Sequence, residues 1–203
     1  MFHETLTHAG GSSKGTAKES HALMLMRRAL NRGYAVTATT GGGAEIRWGR
    51  IDRLTGNSVV RSIVLDPQLP AENLDARTRA QLAAINVGDA RHVVTADRRY
   101  IDAGGTEIPT GETARLRARR LVAVDSKGRV RLTLVARLAL LALDHTQVGG
   151  GTDGLAMCSC GFTVSAPAGE AADETLRFHR QAMTARFIES LPATYAAAIA
   201  DTH

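Results

Sequence analysis

Residues Thr110 to Leu143 read TGETARLRARRLVAVDSKGRVRLTLVARLALLAL. Thr110 can cap a helix predicted to run to about Arg120, and Glu112 in its first turn favours the positive end of the helix dipole. LVAVD and RVRLT flank the turn SKG and read as a hairpin. Val135 to Leu143 then form an apolar run, interrupted by Arg137, that predicts a second helix. Helix, hairpin, helix in 34 residues places the chain in the α+β class.

Upstream, ESHALMLMRRALNR (residues 19–32) puts Leu23, Met26 and Leu30 on one helical stripe and is followed by Gly33, a C-cap residue. YAVTATT and AEIRWG alternate on either side of the glycine turn Gly41–Gly43, which predicts a hairpin. SVVRSIVL predicts a further strand ending at Pro67. Trp48, in a strand, could stack on a nucleobase or fill a core. This helix–strand–strand–strand order, with a helix from about Leu74 to Ile85, resembles the double-stranded-RNA-binding domain, although the second helix lacks that family's lysine cluster. Leu74, Thr78, Leu82 and Ile85 share one stripe of that helix, and residues 91–108 read as two short strands around a loop. Residues 1–18 are polar and glycine-rich and are expected to be a disordered tail. Their GGSSKGT is no phosphate loop, because Lys14 precedes Gly15 and no apolar strand leads in.

The 203 residues carry a net charge of +5, spread unevenly. Residues 91–140 hold 11 basic and 5 acidic side chains, whereas residues 141–203 hold 3 and 7. A basic middle followed by an acidic end points to a polyanionic partner for the middle. No apolar run approaches the roughly 18 residues that cross a bilayer, and MFHETLTHAGGSSKGT has no signal-peptide pattern. A cytoplasmic location is expected, with thiols reduced and no membrane partner.

Residues 110–143 resemble the C-terminal half of a winged-helix domain of the MarR-like kind, through Leu116, Leu121, Val122, Asp125, Arg129, Leu132, Thr133 and Arg137. Arg120 and Ala136 stand where that family has glycines. The resemblance implies a recognition helix and a basic wing. Arg115, Arg117, Arg119 and Arg120, with Lys127, Arg129 and Arg131, are the residues expected to reach nucleic-acid phosphates or a guanine edge. DNA is the first partner this implies, and RNA the second.

The only cysteines, Cys158 and Cys160, sit in MCSCGFTV (Met157–Val164). Three readings apply. Two thiolates beside the permissive Gly161 could converge on zinc, with His179 on the following helix as a third ligand and His145, Asp153 or His203 as a fourth. The pair could instead form a labile disulfide, or the two could be small buried apolar residues. Cysteine pair, strand and helical histidine follow the order of ββα zinc fingers. They are also similar to Cys-x-Cys-Gly…His segments in uncharacterised actinobacterial and phage proteins, which implies a structural zinc held by Cys158, Cys160 and His179.

The expected organisation is therefore a tail (1–18), a helix with a three-stranded sheet forming a small α/β unit (19–70), a winged-helix-like centre (71–146), and a C-terminal zinc-finger-like β-hairpin plus helix (147–203). The chain holds no Ser-His-Asp order, paired-carboxylate motif or nucleotide loop, and its histidines are scattered at positions 3, 8, 21, 92, 145, 179 and 203. A non-catalytic nucleic-acid-binding protein of regulatory or mobile-element accessory type is the first expectation. A protein-interaction adaptor built from the same small domains is the alternative.

Overall fold

The structure, a computed structural model, describes residues 1–8, 11–51, 58–71, 74–150, 155–165 and 169–191. It is a mixed α+β fold of five helices and several antiparallel sheets among these residues. The first helix, α1 (Glu19–Asn31), buries Ala22, Leu23, Met26 and Ala29. It closes as a Schellman turn: Tyr34 N–H donates to the Ala29 carbonyl and Gly33 N–H to Leu30, with Gly33 at φ +72°. Strands β3 (Ala35–Ala38), β4 (Ala44–Ile51) and β5 (Ser58–Pro67) follow as expected from their alternation. Trp48 lies partly buried, stacked on Tyr34 with ring centroids 5.2 Å apart.

Residues 1–18 depart from the expected tail. Phe2–His8 (β1) and Gly11–Ala17 (β2) form a hairpin, and β1 pairs antiparallel with β5, giving a sheet in the order β2-β1-β5-β4-β3. Phe2 is fully buried and aligned with Pro67, and Ala17 opposite it on β2 is also buried, so two apolar anchors at one end and the backbone ladder hold a strand pair that is otherwise mostly polar.

Helix α2 (Ala76–Val87) is capped by Asp75, which accepts the Thr78 N–H at 2.6 Å, and the expected stripe Leu74, Thr78, Leu82, Ile85 is buried. The helix packs on elements of the centre rather than beside α1 on the large sheet, unlike the double-stranded-RNA-binding arrangement. Residues 91–109 form three strands, not two: β6 (Arg91–Val94), β7 (Arg99–Ala103) and β8 (Thr106–Pro109). The chain turns from β8 directly into α3 (Thr110–Ala118), so Pro109 occupies the cap position expected for Thr110.

Helix α3 ends in a second Schellman turn, with Leu121 N–H on the Leu116 carbonyl and Arg120 N–H on Arg117. Arg120 takes the left-handed residue of that turn at φ +52°, the conformation a glycine would adopt without strain. Strands β9 (Val122–Val124) and β10 (Val130–Leu132) form the expected hairpin. Two backbone hydrogen bonds, His92 N–H to Gly128 and Val130 N–H to Ala90, join it to the start of β6.

Helix α4 (Leu134–Asp144) is capped by Thr133 and is the most buried helix of the core. Its N-terminus also receives the buried Glu19 carboxylate, which accepts Leu134 N–H at 3.2 Å. The Gly41–Gly43 turn lies against α4: a Cβ on Gly42 would sit 2.4 Å from the Val135 carbonyl oxygen. One apolar cluster thus runs from Phe2 and Met26 through Leu82, Leu116 and Leu138 to Ile188.

The C-terminal part is a three-stranded sheet, larger than the expected hairpin: β11 (Gln147–Gly150), β12 (Leu155–Cys158) and β13 (Thr163–Ser165). Helix α5 (Gly169–Ser190) has two anchorages. Ala172 and Leu176 pack with Ala156, Cys158 and Val164, while Ile188 joins the main core. Between these, the Thr184 hydroxyl oxygen accepts Ala38 N–H of the edge strand β3 at 3.2 Å. No helix among the described residues is long and apolar enough to cross a membrane.

Candidate metal centre

Three elements bring four ligating side chains together. His145 is the C-cap of α4, Cys158 ends β12, Cys160 lies in the turn to β13, and His179 projects from α5. One ligand atom from each lies within 4.8 Å of all the others. His145 Nδ1 is 3.2 Å from His179 Nε2, Cys158 Sγ is 3.7 Å from His145 Nδ1, and Cys160 Sγ is 3.3 Å from His179 Nε2. The cluster can hold a metal ion.

Local chemistry explains the convergence. The Cys158–Phe162 turn is closed by Cys158 N–H on the Phe162 carbonyl and Gly161 N–H on the Cys158 carbonyl, with Gly161 at φ +90°. Ser159 then clamps this turn to the end of α4. Its N–H donates to the Thr146 carbonyl at 2.8 Å, its hydroxyl donates to the Leu143 carbonyl at 3.2 Å, and its oxygen accepts Thr146 N–H at 3.0 Å. The Leu143 carbonyl is one that the helix end leaves unpaired, so a cap and a ligand-positioning bond are the same interaction. Phe162 stacks on the His179 ring at 4.2 Å and 6°, fixing its plane.

Burial grades the site. Cys158 is 1% exposed and His145 9%, whereas Cys160 is exposed and His179 intermediate. Burial, then the neighbouring His179, lowers the His145 pKa against an opposing pull from Asp144. Burial, then Arg186, lowers that of His179. Both imidazoles therefore keep a lone pair at neutral pH. Burial pushes the Cys158 thiol up, so without a cation it stays protonated.

The sequence named Cys158, Cys160 and His179 as ligands with three candidates for the fourth. The structure brings His145 to them, and Asp153 and His203 lie outside the described residues. Ser159 and Phe162 were missed as positioning residues, because nothing local in the sequence shows that their partners are Leu143, Thr146 and His179.

The basic residues divide into two sets. Arg115 bridges Glu112 at 2.8 Å and donates to the Thr78 hydroxyl at 3.3 Å. Arg129 binds Asp125 at 2.7 Å within the β9–β10 turn. Arg119 is the C-cap residue of α3; the Thr78 hydrogen bonds, and after them the charges of Arg115 and Arg119, hold the Asp75 carboxyl below its ordinary value against an opposing push from burial. Each of these three has a partner within the fold, although the Arg115 and Arg129 side chains stay 45% and 44% exposed. Arg117, Arg120, Lys127 and Arg131 are exposed and make no ion pair among the described residues.

Compared with models of known protein families, with curated proteins and with solved structures, the chain matches none.

Proposed function

We propose that this chain is a non-catalytic nucleic-acid-binding protein whose C-terminal helix is stapled by a structural zinc. The donor set supports the metal assignment. Two thiolates and two neutral imidazoles suit zinc, and four protein ligands leave no open position for a substrate. Tetrahedral zinc with bonds of about 2.0–2.1 Å to nitrogen and 2.3 Å to sulfur sets neighbouring ligand atoms roughly 3.3–3.8 Å apart. Three of the six separations, 3.2, 3.3 and 3.7 Å, lie close to that polyhedron, and all six stay within 4.8 Å.

Nucleic-acid binding rests on one observation: Arg117, Arg120, Lys127 and Arg131 expose unpaired charge around α3 and the β9–β10 hairpin, inside the segment with 11 basic and 5 acidic residues. Those side chains suit phosphates, and the winged-helix resemblance of this stretch favours duplex DNA over RNA. Fluorescence anisotropy with duplex DNA and RNA across a salt series tests it. Affinity should fall steeply with salt, and replacing the four residues by alanine should flatten the slope by up to about 0.9 per lost phosphate contact. Binding that is absent, or that the four substitutions leave unchanged, refutes this reading. A second reading, a protein adaptor, is favoured by Val148, Leu155 and Met157, which expose apolar surface on the C-terminal sheet at 62%, 43% and 37%.

A further inference from the structure

We propose that Cys160 is an oxidation site, and that a peroxide ejects the metal by linking Cys160 to Cys158. The inference rests on the zinc reading of the cluster and adds a reaction to it. The two sulfurs differ in the way a sensing pair requires: Cys158, at the end of β12, is 1% exposed, while Cys160 lies open to solvent in the turn. Their Sγ atoms belong to one cluster whose ligand atoms lie within 4.8 Å of one another. A bound cation keeps both sulfurs as thiolates at neutral pH, so the exposed one is a nucleophile that solvent peroxide can reach.

The chemistry balances with hydrogen peroxide as the two-electron oxidant. Cys160 Sγ attacks one peroxide oxygen and the O–O bond breaks, leaving a sulfenic acid and a hydroxide that takes a proton to become water. Cys158 Sγ then attacks the Cys160 sulfur. The S–S bond forms, the second hydroxide leaves and is protonated, and the zinc ion departs with both thiolate donors gone. Two sulfurs together lose two electrons, and one peroxide becomes two waters.

The fold gives the release a consequence. His179 would tie the N-terminal half of α5 to the metal, and among the described residues the apolar packing of that half is Phe162 stacked on His179 and the small cluster of Ala156, Cys158, Val164, Ala172 and Leu176. The other half keeps Thr184 and Ile188 in the main body. Metal loss therefore loosens one half of a single helix and leaves the rest seated.

The test starts from full-length protein purified with zinc and checked by native mass spectrometry. A chain without zinc at that stage overturns the metal reading, and with it this inference. For zinc-loaded protein, one equivalent of hydrogen peroxide is added. Release is read with a chromogenic chelator, intact mass under denaturing conditions and hydrogen exchange. The expected result is release of one zinc per chain, a mass about 2 Da below the reduced chain, and faster exchange confined to the first half of α5. A dithiol and added zinc should reverse all three. Cys160→His keeps a ligand but removes the exposed sulfur, and should hold zinc through the same treatment. Zinc retained by the wild-type chain with its thiols intact, or zinc lost equally from Cys160→His, overturns the proposal while leaving the metal site standing.

Discussion

His145 Nδ1 and His179 Nε2 lie 3.2 Å apart, joining the C-cap of α4 to the middle of α5. Without a metal, one neutral ring can donate its N–H to the other at this distance; with both nitrogens given to a metal, the same contact would become one edge of a ligand shell. Replacing His145 with alanine should weaken zinc binding by more than the roughly 10–100-fold that loss of a supporting residue costs. Competition against a chromogenic chelator measures this. Ser159→Ala, which removes the hydroxyl's bonds to Leu143 and Thr146 but keeps the backbone bond to Thr146, should fall within that range.

The pH dependence of the chelated chain follows from the same site. Folding lowers the pKa of His145 and His179, chiefly through burial. A lowered histidine contributes stability that is present above the ordinary value of about 6.5 and lost as pH falls through the folded value. Folding raises the Cys158 pKa, again through burial, so its contribution is complete below the ordinary thiol value and lost as pH rises. Urea midpoints of metal-free protein should therefore peak between these limits and decline on both sides. In zinc-loaded protein the acid decline should be steeper, since each thiolate ligand must be reprotonated.

Glu19→Ala should cost about 1–3 kcal/mol, because it leaves the buried Leu134 N–H at the start of α4 without that acceptor. Glu19→Gln, which keeps an acceptor oxygen, should cost less. Urea denaturation of the two variants separates the hydrogen bond from the charge.

Arg120→Gly tests strain and function in opposite directions. The substitution relieves a left-handed arginine in the Schellman turn of α3 and should stabilise the chain by about 0.5–1 kcal/mol. The same change removes one exposed cation and should weaken duplex DNA binding. Thermal unfolding and anisotropy on one preparation give both signs.

Elements whose pairing is local were legible in the sequence. The 3.6-residue stripe of α1 and the alternation around Gly41–Gly43 required only neighbouring residues, as did the turn between β9 and β10. The β1–β2 hairpin was not legible. Its polar, glycine-containing strands have little apolar pattern, and β1 is held by β5, whose register aligns Phe2 with Pro67. The same limit governs the site. Cys158, Cys160 and His179 carried a recognisable order, but choosing His145 as the fourth ligand needed the end of α4 placed against the cysteine turn by Ser159. Among the arginines, composition counted charge without showing which ones Glu112, Thr78 and Asp125 had already taken.

Native mass spectrometry of the purified chain, with and without a strong chelator, tests the central claim most directly. One zinc per chain is expected, removed by the chelator and absent from the double variant Cys158→Ser, His145→Ala. A wild-type mass with no metal increment after reconstitution with zinc would contradict the account.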